Sequence, residues 1–80
     1  MVNMKIIVYS TPTCVYCRMA EEFFKEHDVD FEEKDVAQDI KAREEMVEKS
    51  GQLGVPVILI DDEVFVGFDK SALSRALKLS

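Results

Sequence analysis

The sequence predicts an α/β domain of element order β-α-β-α-β-β-α, a four-stranded mixed sheet with helices on both faces. Three observations predict it. Short β-branched apolar runs occur at residues 5–10 and 57–60, stretches of helical spacing separate and follow them, and Gly, Pro and Asp punctuate the boundaries. Strands divided by a helix need a right-handed crossover and start a parallel sheet; the closing hairpin adds antiparallel strands.

Each element has its own signal. Lys5-Ile6-Ile7-Val8-Tyr9-Ser10 reads as a buried strand that stops at the Thr11-Pro12-Thr13 break. From Cys14 to about Glu26, the apolar residues Tyr16, Met19, Ala20, Phe23 and Phe24 recur at helical spacing, with Thr13 or Cys14 as N-cap and Glu21 and Glu22 on the outer face. Residues 29–36 form a weaker strand with Phe31 and Val36 as its apolar points. Asp39 caps a second helix that carries Ile40, Met46 and Val47 and ends at Gly51, a left-handed stop. A loop through Leu53 and Gly54 reaches Val55-Pro56 and a strand over residues 57–60, which Asp61-Asp62 turns back into residues 63–67. Asp69 caps the last helix, with Ala72, Leu73, Ala76 and Leu77 inward.

Eighty residues make one domain, residues 1–80. A chain this size buries only about 60% of the surface its unfolded form exposes, so its stability margin is narrow. A content of 48% apolar and 32% charged residues fits a globular domain rather than a disordered tail. The net charge of −6 argues against nucleic acid or an anionic membrane as partner, because both want a basic patch. It either keeps a small protein in solution or steers it toward a basic partner surface. Met1-Val2-Asn3-Met4-Lys5 has no basic stretch ahead of an apolar one, and the longest apolar run, Val55 to Ile60, is too short to span a bilayer. With only two cysteines, three apart, and no export signal, a reducing cytoplasmic location is expected.

Cys14-Val15-Tyr16-Cys17 carries the chemistry. It sits where a strand feeds a helix, so Cys14 lies beside unpaired backbone N–H groups and the positive end of the helix dipole. Both favour thiolate over thiol, and cysteines so placed have pKa values lowered to about 3.5–7.5. Cys17, one turn further in, can reach the first sulfur but is better shielded. Exchange needs this asymmetry: an exposed thiolate attacks a disulfide, and a protected second sulfur resolves the mixed disulfide. A zinc site usually takes four ligands, and His27, the one other candidate, falls about three turns away at the end of the helix, so no bound metal is expected. A purely structural disulfide closing so short a loop removes little chain entropy.

Two further segments stand out. Gly54-Val55-Pro56 precedes a strand; a cis Val55-Pro56 bond would turn the Val55 backbone toward Cys14, where its N–H and C=O would pair with a substrate strand. Gly67-Phe68-Asp69-Lys70-Ser71 starts the last helix, and its exposed N–H groups suit a carboxylate, while Asp69 can accept from an ammonium or serve as an ordinary N-cap.

In this order and spacing, Tyr9-Ser10-Thr11-Pro12-Thr13-Cys14-Val15-Tyr16-Cys17, Gly54-Val55-Pro56 and Gly67-Phe68-Asp69 resemble the glutaredoxins and glutaredoxin-like redoxins, over Ile6 to Leu79. The resemblance implies a thioredoxin fold of the glutaredoxin type. It implies a glutathione-dependent thiol–disulfide oxidoreductase that reduces protein disulfides and glutathione mixed disulfides, with glutathione as co-substrate. Nothing in the sequence suggests an obligate dimer, so a monomer is expected. By position, Cys14 would be the nucleophile and Cys17 the resolver. Thr13 and Tyr16 would line the groove, and Val55 and Pro56 would meet the cysteinyl part of glutathione. Asp69 and the Lys70 backbone would take its γ-glutamyl end, one for the ammonium and one for the carboxylate, with Gly67 and Phe68 in the same binding set.

Where the family commonly has a proline after the first cysteine, this chain has Val15. Thr11 stands for a common lysine, and Phe68 for the second glycine of a pair. A Gly-Phe pair with a valine after the first cysteine also resembles redoxins that serve ribonucleotide reductase and take electrons from thioredoxin reductase, a flavoprotein. A second alternative is a [2Fe–2S] carrier, with Cys14 from each of two chains and two glutathiones as ligands.

Overall fold

The computed structural model describes residues 5–78. The elements follow the expected order: β1 (Ile6–Ser10), α1 (Val15–Glu26), β2 (Glu32–Asp35), α2 (Ile40–Ser50), β3 (Val57–Ile60), β4 (Glu63–Val66) and α3 (Lys70–Leu77). The sheet runs β2-β1-β3-β4, with β1 and β2 parallel and β3 antiparallel to both β1 and β4. Among the described residues no helix is long and apolar enough to cross a membrane.

β1 and β3 are buried along their whole length because helices cover both faces of the sheet. Alternation divides their side chains between two cores. Ile6, Val8, Ile58 and Ile60 pack with Phe23 and Phe24 of α1 and Leu73 and Leu77 of α3. Ile7, Tyr9, Val57 and Leu59 pack on the other face with Ala42 and Met46 of α2. Each buried Val, Leu, Ile, Phe or Met side chain among them contributes about 1.5–3 kcal/mol. The buried Tyr9 keeps its polar tip satisfied: its hydroxyl donates to Glu45, which Lys34 also grips at 3.1 Å.

Capping follows the sequence. Asp39 accepts from the Ala42 N–H and Asp69 from the Ala72 N–H, each at 3.1 Å, and Gly51 closes α2 at φ 75°. Three details depart from expectation. The second strand is only Glu32–Asp35, an edge strand bonded to β1 alone. Val29 belongs instead to the end of α1: its N–H donates to Phe24 O at 2.9 Å and that of Asp28 to Lys25 O at 3.2 Å, with Asp28 left-handed at φ 54°. This is a Schellman stop with aspartate in the usual glycine position.

The inward face of α1 is also rotated from the expected one. Cys17, Ala20, Phe23 and Phe24 are buried, whereas Tyr16 and Met19 are exposed. Glu21, expected outside, is half-buried, because a residue four places after Cys17 shares its face. In α2 the buried residues are Ala42 and Met46; Ile40 is 61% exposed and Val47 half-buried.

The strand register positions the site. Tyr9 pairs with Val57, and Val57 with Val66. The end of β1, the start of β3 and the end of β4 therefore share one end of the sheet. The three segments singled out in the sequence emerge there together.

Candidate active site

Cys14 is the N-cap of α1, at φ −85° and ψ 113°. Its sulfur takes the place of a capping oxygen and accepts the Cys17 N–H at 3.2 Å. Its own N–H donates to Thr11 O at 3.2 Å, which folds the Thr11-Pro12-Thr13 break into a turn. Both thiols are free, Cys14 half-buried and Cys17 only 2% exposed. Burial, the hydrogen bond with Cys14, and the charges of Cys14 and Glu21 push the Cys17 thiol up to about 12, against a smaller lowering from the Thr11 backbone. The pair is thus asymmetric in access, with the first sulfur at the helix mouth and the second inside.

The Val55-Pro56 peptide bond is cis and Pro56 is buried, its carbonyl accepting the Gly67 N–H at 2.8 Å. That bond ties the second segment to the third. Among the described residues no hydrogen-bond partner is found for the N–H or C=O of Val55. Gly67 lies at φ +80° with open space where a Cβ would stand, so its conformation and not crowding calls for glycine. Phe68 turns inward and meets the Phe23 ring edge-on at 6.0 Å. Asp69 is exposed and occupied as the cap of α3, and Lys70 is exposed beside it.

Between α1 and this turn lies a groove of about 230 Å³ lined by Met19, Glu22, Phe23, Glu26, Phe68 and Lys70. Two carboxylates and one ammonium thus face it. Thr13 is exposed. So are Val15 and Tyr16, which directly follow Cys14, and Met19 of the groove, at 68%, 62% and 42%, which gives the mouth of the site an apolar surface; Leu53, 67% exposed, lies on the loop leading to Val55-Pro56. Arg18 is exposed on α1. His27 sits at the opposite end of that helix, its ring tilted by 49° to that of Phe23 with centroids 4.5 Å apart.

One group escaped the sequence reading. Behind Cys17, the carboxyls of Glu21 and Glu33 face each other, and Glu33 also accepts from the buried Ser10 hydroxyl at 3.3 Å. Burial first, then the Glu33 carboxyl, push Glu21 up to about 7; Lys25 and Arg18 pull the other way. The signal available in the sequence was the four-residue spacing from Cys17. Between the ordinary carboxyl value of 4.5 and about 7 the native state holds a proton that the unfolded chain releases. Stability therefore falls as pH rises through that window. Glu21→Gln is expected to remove this part of the fall, about 1–2 kcal/mol once partial exposure is discounted. Urea midpoints of the two proteins at about pH 5 and about pH 8 measure it; parallel changes in both would contradict the assignment.

Comparison with known proteins agrees with this geometry. The Glutaredoxin family model matches residues 6–65. A glutaredoxin-like 8.6 kDa protein in the rubredoxin operon of Clostridium pasteurianum is 45% identical over 91% of this chain and 97% of its own. The crystal structure of a mutant of the thioredoxin-like protein BC3987 superposes with a TM-score of 0.89 at 35% identity, over 94% of this chain and 96% of that one. The glutaredoxin-like NrdH-redoxin of Escherichia coli, described by its thioredoxin-like activity profile, matches with a TM-score of 0.79 at 26% identity, over 90% of this chain and 93% of its own. The fold is thioredoxin-like, and the chain belongs to the glutaredoxin family of redox proteins.

Proposed function

We propose that this protein is a cytoplasmic protein-disulfide reductase working through Cys14 and Cys17, and that a flavoprotein reductase of the thioredoxin-reductase kind recharges it. The Cys14 thiolate attacks one sulfur of a substrate disulfide and forms a mixed disulfide, releasing the other sulfur as a thiolate. The Cys17 thiolate then attacks Cys14. The bond to the substrate breaks, its electron pair leaves with the second substrate sulfur, and the Cys14–Cys17 disulfide forms. The substrate gains two electrons and the dithiol loses them. An incoming reductase dithiol reverses the last exchange.

The surface around Cys14 supports this reading of the donor. Val15, Tyr16, Met19 and Leu53 offer apolar contact to a protein face. Glutathione brings two carboxylates, and the groove under Phe68 already holds those of Glu22 and Glu26 against one ammonium, Lys70. The thioredoxin-like activity profile of the E. coli NrdH-redoxin supports the same reading; ribonucleotide reductase is the acceptor this proposal would place downstream.

A second reading keeps glutathione as co-substrate. It is favoured by the inward turn of Phe68, which leaves Gly67, Asp69 and the start of α3 accessible, and by the free backbone groups of Val55. NADPH consumption decides between the two, measured with thioredoxin reductase in one vessel and with glutathione plus glutathione reductase in the other. Saturable turnover only in the first is expected. Fast turnover of a glutathionylated peptide in the second would transfer the assignment to the glutathione reading.

A further inference from the structure

The exchange steps leave one requirement unmet: Cys17 is buried and protonated, and its sulfur must lose that proton before it can attack. We propose that Glu21, paired with Glu33, accepts the Cys17 proton in the step that closes the Cys14–Cys17 disulfide. The inference rests on the two-cysteine exchange proposed above and is independent of which donor recharges the dithiol.

The geometry comes from three elements. Cys17 and Glu21 stand one helical turn apart on the same face of α1. Val8 pairs with Glu33 and points into the core under α1, so Glu33 rises from β2 toward the same helix. Ser10, buried at the end of β1, donates to Glu33 from below. Glu21 Oε2 is buried and has no hydrogen-bond partner among the described residues. The carboxyl that faces Glu21 is itself an acceptor when ionised, so a proton held between the two supplies the bond that is missing. The site is built to take up a proton, and an occupied state satisfies it better than an empty one.

The groups that face Glu21 are Glu33 from β2 and Arg18, Lys25 and Cys17 from α1. The two cations keep the empty pair tolerable; Glu33 makes the loaded pair favourable. A proton acceptor half-loaded near neutral pH is matched to its task. In the forward step the Cys17 Sγ–H bond breaks, the proton passes to the carboxyl pair, and the sulfur keeps the electron pair with which it attacks Cys14. When the disulfide is reduced again, the proton returns to Cys17. No further reactant is needed.

Rapid mixing separates the two chemical steps. Formation of the mixed disulfide is followed by mass spectrometry of quenched samples, and its resolution by release of the reduced substrate. In the unmodified protein the resolution rate is expected to rise with pH through about 7. In Glu21→Gln that limb is expected to disappear and resolution at alkaline pH to slow by about 100-fold, with the loss confined to the second step. Glu33→Gln keeps the acceptor but removes its facing carboxyl, so its limb is expected to shift to lower pH.

A purely electrostatic role for Glu21 predicts the opposite result: removing a negative charge beside Cys17 eases thiolate formation and speeds resolution. Resolution in Glu21→Gln as fast as in the unmodified protein, or faster, would overturn the proposal while leaving the exchange mechanism in place. Failure to form any mixed disulfide at Cys14 would overturn both.

Discussion

Cys14→Ser is expected to reduce thiol–disulfide exchange to the uncatalysed background with every substrate, because the thiolate is the attacking species and a hydroxyl at neutral pH supplies none. The substitution is gentle on the fold. A serine oxygen is a better N-cap than sulfur and can receive the Cys17 N–H that Cys14 now accepts at 3.2 Å. Loss of activity with an unchanged unfolding midpoint would therefore locate the defect in the chemistry.

Cys17→Ser separates the two roles. It keeps the first attack and removes the resolving sulfur, so a protein substrate is expected to remain attached as a mixed disulfide through Cys14, visible as a covalent adduct by mass spectrometry. Reduction of a glutathione mixed disulfide, with an excess of dithiothreitol as resolver, is expected to survive. An equal loss in both assays would contradict the division between Cys14 and Cys17.

Phe24→Ala is expected to have the largest effect on stability. The ring is fully buried, 5.8 Å from that of Phe23 and 5.6 Å from that of Phe31, in the core that joins α1, α3 and the sheet. Truncation of a buried phenylalanine costs about 3–5 kcal/mol, counting both lost transfer energy and the cavity left behind. A domain of this size holds only about 5–10 kcal/mol in total. The urea midpoint is accordingly expected to fall by about 1–5 M. Val15→Ala, at a residue 68% exposed, is the matched control and should move stability by less than about 0.5 kcal/mol. Similar midpoints for the two variants would show that the α1 core does not hold the fold.

What the chain reveals in advance depends on how much of each signal is local. β1 and β3 are legible because a strand buried on both faces is an unbroken apolar run. Asp39, Gly51 and Asp69 are legible because caps are decided within a few residues. The cysteine pair is legible for the same reason, since the strand-to-helix junction that exposes Cys14 is encoded beside it.

The misreadings lie where partners come from elsewhere in the chain. Val29 looks like strand and belongs to a helix stop, because Asp28 tolerates the left-handed conformation that glycine usually takes. Tyr16 and Met19 look like core positions but stand in solvent at the mouth of the site. Glu21 looks like a solvent residue. Its carboxyl faces Glu33, which reaches it only after the crossover that places β2 beside β1. No local window contains that pairing.

The two rims of the sheet will behave differently when many copies are crowded together. The β2 rim carries Glu32, Glu33, Lys34 and Asp35, and a second such rim brought alongside would set carboxylates against carboxylates. The β4 rim has one charge, Glu63, and shows Val64 and Val66 at 39% and 53% exposure. Joining of two β2 rims is therefore disfavoured by charge. A contact of β4 with β4 would use the same surface on both molecules and be complete at two copies, whereas a β4-to-β2 contact would repeat without end. The acidic β2 strand thus removes one of the pairings open to the edges of this sheet.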